Sequence, residues 1–238
     1  MAPALSRSLT QRADPTAVFL NVPFDERYEP VFIALVAALT SIGRKPRCVL
    51  QLPERGQGRL TRVLDHLARC QVSVHDLSRV GPPPRYNMPF ELGLAFAQRN
   101  YLRSARRHSI VLLESVRHRL TRTLSDMAGF DPAIHANRPR RVVSCILDTL
   151  GSGQSDPSVS DVYQVWRKLM KAARQLKVAA DRDDIYSRSL FRKLVAASTE
   201  LSVRSGFILR SFRPPQGQKA DHGQAGVPGE GVRRVIEG

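Results

Sequence analysis

Short apolar runs alternate with longer helical patterns through residue 150 of this chain. Residues 17–22 (AVFLNV), 46–52 (PRCVLQL), 72–77 (VSVHDL) and 108–114 (HSIVLLE) are β-branched, near-continuous apolar segments, the pattern of buried strands. Residues 28–42 are apolar and alanine-rich, predicting a helix that Gly43 ends. Residues 59–70 place Leu60, Val63, Leu64 and Leu67 at helical spacing, with arginines on the opposite face. Residues 88–101 predict a further helix, and the prolines at 82 to 84 exclude helix from the loop before it. Residues 115–135 read as one short helix and a long loop, and 140–150 as a helix in preference to a fifth strand. Strands in strict alternation with helices predict an α/β fold, a doubly wound parallel sheet covered on both faces.

After residue 151 the pattern changes. GSGQSDPS reads as a linker, followed by helical periodicity over residues 159–178 (Val162, Val165, Trp166, Leu169, Met170, Ala173) and 185–204 (Ile185, Leu190, Phe191, Leu194, Val195, Leu201). These predict an appended C-terminal helical region that packs on the sheet domain or on a partner. Residues 1–16 read as a flexible leader, and from residue 214 the Gly/Pro/Gln-rich tail predicts disorder. The expected organisation is a leader (1–16), an α/β domain (17–150), a linker with helices (151–213) and a tail (214–238).

Composition narrows the function classes. Hydrophobic residues at 42% and charged residues at 24% are those of a soluble globular protein. The longest apolar run, residues 31–39, is too short for a bilayer span of about 20 residues, so no membrane partner is expected. No signal peptide is evident, and the three cysteines, Cys48, Cys70 and Cys145, form no C-x-x-C pair; a reducing cytoplasm is the expectation. The formal net charge of +16 favours anionic partners, nucleic acid among them, although the arginines are spread along the chain without interleaved aromatics.

In doubly wound sheets ligands bind beyond the carboxyl ends of the strands, at the topological switch point. The residues expected there are Asn21, Pro23, Phe24 and Asp25 after the first strand, and Asp76, Ser78 and Arg79 after the third. Arg85, Asn87 and Glu91 follow on the approach to the next helix. If Pro89 opens that helix, Glu91 falls in its first turn near the positive end of the dipole, either as a favourable helix-start acid or as a catalytic carboxylate held ionised. Carboxylates on such a rim suit chemistry at an anomeric carbon, where positive charge develops, and arginines suit phosphates. Asp25 and Asp76 equally suit capping, and Arg79 and Arg85 a solvated surface. No Walker A, G-x-G-x-x-G, G-x-S-x-G or H-E-x-x-H motif is present, and the six histidines show no ligand spacing, so no metal is expected.

The segments FLNVPFDERYEPVFIALVAAL, VSVHDLSRV and PRYNMPFELGLAFA resemble the TIR-like and nucleoside 2-deoxyribosyltransferase-like proteins of bacteria over residues 17–150. The most telling element is N-x-P-F-E-L-G-L-A, similar to the N-(V/M)-x-(F/Y)-E-L-G-x-A segment of that group. The resemblance implies a flavodoxin-like fold and a nucleotide ligand such as NAD, as substrate rather than as a required cofactor. It also implies cleavage of an N-glycosidic bond with Glu91 as the sugar-facing carboxylate and Asp76 as acid/base or ribose ligand. Self-association through the C-terminal helices and a setting in bacterial defence or stress signalling accompany the resemblance. Two departures separate this chain from the group: RYNMP stands where the deoxyribosyltransferases carry D-x-G-T, and NVPFD does not match the first-strand pattern of TIR NADases. A non-catalytic signalling or scaffold module and a nucleic-acid-associated basic protein are the alternatives.

Overall fold

The computed structural model describes residues 14–51, 58–81, 83–101, 108–153 and 155–208. Its sheet has five strands, β1 (Asp14–Asn21), β2 (Lys45–Arg47), β3 (Cys70–Asp76), β4 (Ser109–Glu114) and β5 (Ala133–Ile134). They lie in the order β2-β1-β3-β4-β5 and every neighbouring pair is parallel. This is the flavodoxin-like order, and its switch point lies between β1 and β3. Helices α1 (Glu29–Ser41) and α5 (Pro139–Leu150) cover one face, and α2 (Arg59–Arg69) and α3 (Asn87–Tyr101) the other. Strand alternation divides the core accordingly: Val18, Leu20, Val72, Val74, Val111 and Leu113 face α1, whereas Ala17 and Phe19 face α2.

Helix α1 explains the C-terminal helices. Every residue of it except Pro30 is buried, so its apolar surface continues around the whole cylinder. A sheet covers only one side of such a helix. The other side is covered by α6 (Val159–Ala179) and α7 (Arg188–Arg204), whose Val162, Val165, Leu169, Phe191 and Leu194 join the α1 core. At this second interface Thr40 and Ser41 of α1 meet Ser198 and Ser202 of α7, Oγ1 to Oγ at 2.6 Å and Oγ to Oγ at 3.2 Å. Phe32 packs between Phe24, Tyr186 and Phe191 at centroid distances of 5.9, 5.4 and 5.7 Å, and its replacement by alanine costs about 3–5 kcal/mol. The helical region therefore shares one core with the sheet.

Several boundaries differ from the sequence reading. β1 begins at Asp14, not Ala17, because Asp14 Oδ1 accepts from the Thr16 amide at 2.9 Å and Oδ2 from Lys45 at 3.2 Å; residues 14–16 thus belong to the sheet. The remainder of the expected leader and the tail lie outside the described residues. β2 stops at Arg47: it is an edge strand, where Pro46 lacks a donor, and Gln51 Oε1 accepts from the Cys48 amide at 3.4 Å as residues 49–51 turn. β5 arises inside the stretch read as irregular, which also holds the short helix α4 (Arg119–Thr123). Gly43 ends α1 as expected, at φ +71°, with the Gly43 and Arg44 amides bonded to Thr40 and Leu39. α7 starts at Arg188 because Ser187 caps it, accepting from the Leu190 amide at 3.3 Å.

Helix α3 begins at Asn87, two residues before Pro89. Pro89 still falls where a backbone N–H has no intrahelical partner. Glu91, however, is the fifth helical residue rather than a first-turn one, so the dipole does little to hold it ionised.

Candidate functional site

The loops after β1 and β3 meet across the switch point. Tyr186 Oη donates to the Asp25 carbonyl at 2.8 Å, and Phe24 sits beside Tyr186 at 5.4 Å, which fixes the first loop on the C-terminal helices. Arg79, from the β3 loop, forks onto Asp25, with Nε donating to Oδ2 at 2.9 Å and Nη2 to Oδ1. Arg85 Nη2 stands 4.0 Å from Oδ2. Partial burial raises the Asp25 carboxyl, and the Arg79 fork outweighs it, so the group is held below the usual carboxylate range.

Asp76 ends β3 with its side chain fully buried on the α1 face. Tyr28 Oη donates to its Oδ2, His135 Nε2 lies 3.0 Å from the same oxygen, and the Ser78 amide donates to Oδ1 at 2.9 Å. Nδ1 of His135 accepts from the Asn137 amide at 3.1 Å, which puts the ring proton on Nε2, facing Asp76 and Ser78 Oγ. Burial pushes the Asp76 carboxyl up, but His135, Ser78 and Tyr28 together bring it below its ordinary value. The expected role of Asp76 as acid/base or ribose ligand does not fit this placement: the carboxylate has no exposed surface, and both its oxygens serve the fold. Tyr28 and His135, its partners, lie far from it in the chain. Neither follows from local spacing, although a histidine closing a long loop is the one visible signal for His135.

Asn21 is likewise buried. A chain of polar groups runs from it through the α2/α3 face of the sheet. His108 Nδ1 faces only the Cys70 carbonyl, at 3.0 Å, so Nδ1 is protonated and Nε2 accepts from Ser73 Oγ at 2.7 Å. Ser73 then accepts from His75 Nε2 at 2.8 Å, and His75 Nδ1 accepts from Asn21 Nδ2 at 2.9 Å. The second Asn21 amide proton reaches the Met88 carbonyl at 3.3 Å. Burial lowers the pKa of His108, and burial together with His108 brings that of His75 to about 3, so both rings are neutral as this pattern requires. Asn21 thereby ties β1 and β3 to the start of α3, and Pro23 is buried beside it. Asn21, Pro23 and Phe24 position the loops and expose little to a ligand.

Glu91 is 4% exposed and lies on the flank of α3 that faces α2. Arg59 Nε, at the start of α2, and Asn87 Nδ2 approach its Oε1 at 3.4 and 3.5 Å, and among the described residues Oε2 has no partner. Burial raises the carboxyl pKa, with Arg59 and Asn87 opposing it only in part. Arg59 is a neighbour that the sequence pattern did not single out.

A cavity of about 320 Å³ opens on the other flank of α3. Leu77, Arg79, Arg85, Tyr86, Pro89 and Leu124 line it, so its walls are apolar apart from two arginines. Pro89 and Glu91 are two residues apart, about 200° around the helix, so this cavity and Glu91 sit on opposite sides of the first turns of α3. Arg119 secures the far wall, with Nε donating to Glu114 Oε2 at 3.0 Å and Nη2 to the Ser78 carbonyl at 2.9 Å. Ser78, Arg79, Arg85 and Asp25 are thus brought together, Asn87 and Glu91 form a second group, and Asp76 shares no hydrogen-bond partner with Glu91.

Among the described residues no cluster of three or more His, Cys, Asp or Glu side chains is spaced to hold a metal, and no helix is long and apolar enough to cross a membrane. Burial pushes the Cys48 and Cys70 thiols up to about 12, which suits small buried core residues and disfavours the thiolate at neutral pH. No protein-family model matches the sequence, and neither a curated protein nor a solved structure matches it.

Proposed function

We propose that this chain binds a nucleotide of the NAD type around the start of α3 and hydrolyses its nicotinamide–ribose bond, as a relative of the TIR-like and deoxyribosyltransferase-like proteins its N-x-P-F-E-L-G-L-A segment resembles. The observation that carries this reading is Glu91, a nearly buried carboxylate that among the described residues meets only the long contacts of Arg59 and Asn87 on Oε1 and leaves Oε2 unengaged. As the C1′–N bond breaks, nicotinamide leaves as a neutral base and positive charge develops on the ribose, which Glu91 Oε2 stabilises or traps covalently. Water then adds at C1′ and releases its proton. Arg85 and Arg79 hold phosphates at the cavity, Asn87 orients Glu91, and Asp76 acts as a positioning residue beneath the loops.

Purified protein incubated with NAD tests this. Wild type is expected to release nicotinamide, and Glu91→Gln to release it at least ~100-fold more slowly, the scale on which losing a transition-state carboxylate acts. No release at high protein concentration, or equal release by the variant, overturns the catalytic reading.

A further inference from the structure

The charge of this chain is not spread evenly over its surface. Between Asp161 and Asp181 the sequence carries five cationic side chains and no acidic one. Lys177 is bound to Glu29 at 2.9 Å. The other four, Arg167, Lys168, Lys171 and Arg174, are all exposed on α6, and among the described residues no carboxylate lies within ion-pair distance of them. At 100° per residue they share the side of α6 opposite Val162, Val165 and Leu169, which are spent on α1. Arg140 of α5 lies 5.5 Å over the ring of Tyr163 and adds a cation at the near end of this stripe.

We infer that the outer face of α6 is a docking surface for the phosphate backbone of nucleic acid. Four cations over about 10 Å of helix match the density of a backbone that carries a phosphate every ~3.4 Å on each strand. An anionic membrane is the poorer fit, because an interfacial helix offers an apolar face beside its cations, and here Val162, Val165 and Leu169 are at most 2% exposed. A protein partner would use exposed aromatic or aliphatic anchors, and Val178 alone supplies one on this face. The stripe offers charge without base-reading groups, so binding is independent of sequence. It lies beyond α1, with the sheet between it and Glu91, and does not rest on the nucleotide reading.

The test is fluorescence anisotropy of a labelled random-sequence DNA duplex with the full chain, titrated between 50 and 200 mM salt. Replacing the stripe (R167Q/K168Q/K171Q/R174Q) is expected to reduce the slope of log K against log salt by about 3–4, at about 0.9 per lost phosphate contact. A control with the same charge change at four other exposed arginines (R69Q/R99Q/R117Q/R122Q) is expected to keep the wild-type slope within about one unit. Equal losses in both variants would mean that net charge alone binds, and overturn the assignment. So would absence of duplex binding at 50 mM salt, or stripe-dependent binding to phosphatidylserine vesicles without duplex binding. Glu91→Gln leaves duplex binding unchanged, which separates this inference from the proposed hydrolysis.

Discussion

Asp76 and Glu91 are both carboxylates buried at the carboxyl edge of the sheet, yet Asp76 accepts from three groups while Glu91 meets two long contacts on a single oxygen. The surroundings of Asp76 bring its pKa below the ordinary value and those of Glu91 raise it. A carboxylate saturated with donors stabilises the fold in its charged form. One whose desolvation is only partly compensated is a cost to the fold, and such costs are common where chemistry needs them. Burial alone therefore does not distinguish the two carboxylates; the balance of burial against partners does.

The largest effect that can break this contrast is Asp76→Asn. An amide cannot satisfy the donors of Tyr28, His135 and the Ser78 backbone together, and each buried donor left unpaired costs about 1–3 kcal/mol, so a loss of about 2–4 kcal/mol is expected in urea denaturation. The sign with pH follows from the lowered pKa. The contribution of Asp76 is complete above the unfolded value of about 3.9 and is lost as pH falls towards the folded value, so the gap between wild type and variant closes in acid. A variant as stable as wild type at pH 7 would remove Asp76 from its structural role.

Glu91→Gln is expected to act in the opposite direction, raising stability by about 0.5–2 kcal/mol at pH 7 in thermal denaturation. Its folded pKa is raised, so folding favours the protonated form: stability is full below the unfolded value near 4.3 and falls as pH rises through the folded value. The advantage of glutamine should accordingly vanish at low pH. A variant less stable than wild type at neutral pH would mean that the carboxylate serves the fold.

How much of this contrast can be read along the chain depends on distance in sequence. β1, β3 and β4 were legible because both faces are covered, β2 only at residues 46–47 of the 46–52 stretch read as strand, and α1 because its apolar surface runs all the way round, which also demands the cover that α6 and α7 provide. β5 was not legible, since two residues at a sheet edge carry no periodicity. The motif singled out Glu91, but the alternative of Pro89 as the first helical residue, two positions late, placed it at the helix dipole, when its true setting is the flank against α2. For Asp76 the capping alternative was legible, since its Oδ1 accepts from the Ser78 amide two residues on, but its long-range partners were not: Tyr28 and His135 arrive from separate elements, and only the packed sheet brings them together.

Arg59 tests the electrostatic side of the Glu91 environment. Arg59→Met removes the main group that opposes desolvation, so the Glu91 carboxyl moves further up and the acid limb of any NAD-hydrolysis profile shifts to higher pH. Because Arg59 is itself half exposed, the shift should stay within about one unit. A limb that stays in place would mean that Glu91 is not the titrating group.

The smallest effect on the fold is expected at the Asp25–Arg79 pair, and it bears on how the two flanks of α3 work together. Both side chains are partly exposed, so Asp25→Asn should cost no more than about 1 kcal/mol. In the wild type, Asp25 holds the Arg79 guanidinium by a fork and stands near Arg85, neutralising one of the two arginines that line the cavity. An incoming phosphate must compete with that carboxylate. A neutral amide in place of the carboxylate leaves both guanidinium groups to the ligand, so ADP-ribose is expected to bind Asp25→Asn several-fold more tightly by calorimetry, while Arg79→Gln weakens it. The two substitutions break the same ion pair with opposite consequences for binding, which an arrangement that served stability alone would not produce; equal weakening by both would assign the pair to loop closure and remove the cavity from the nucleotide site.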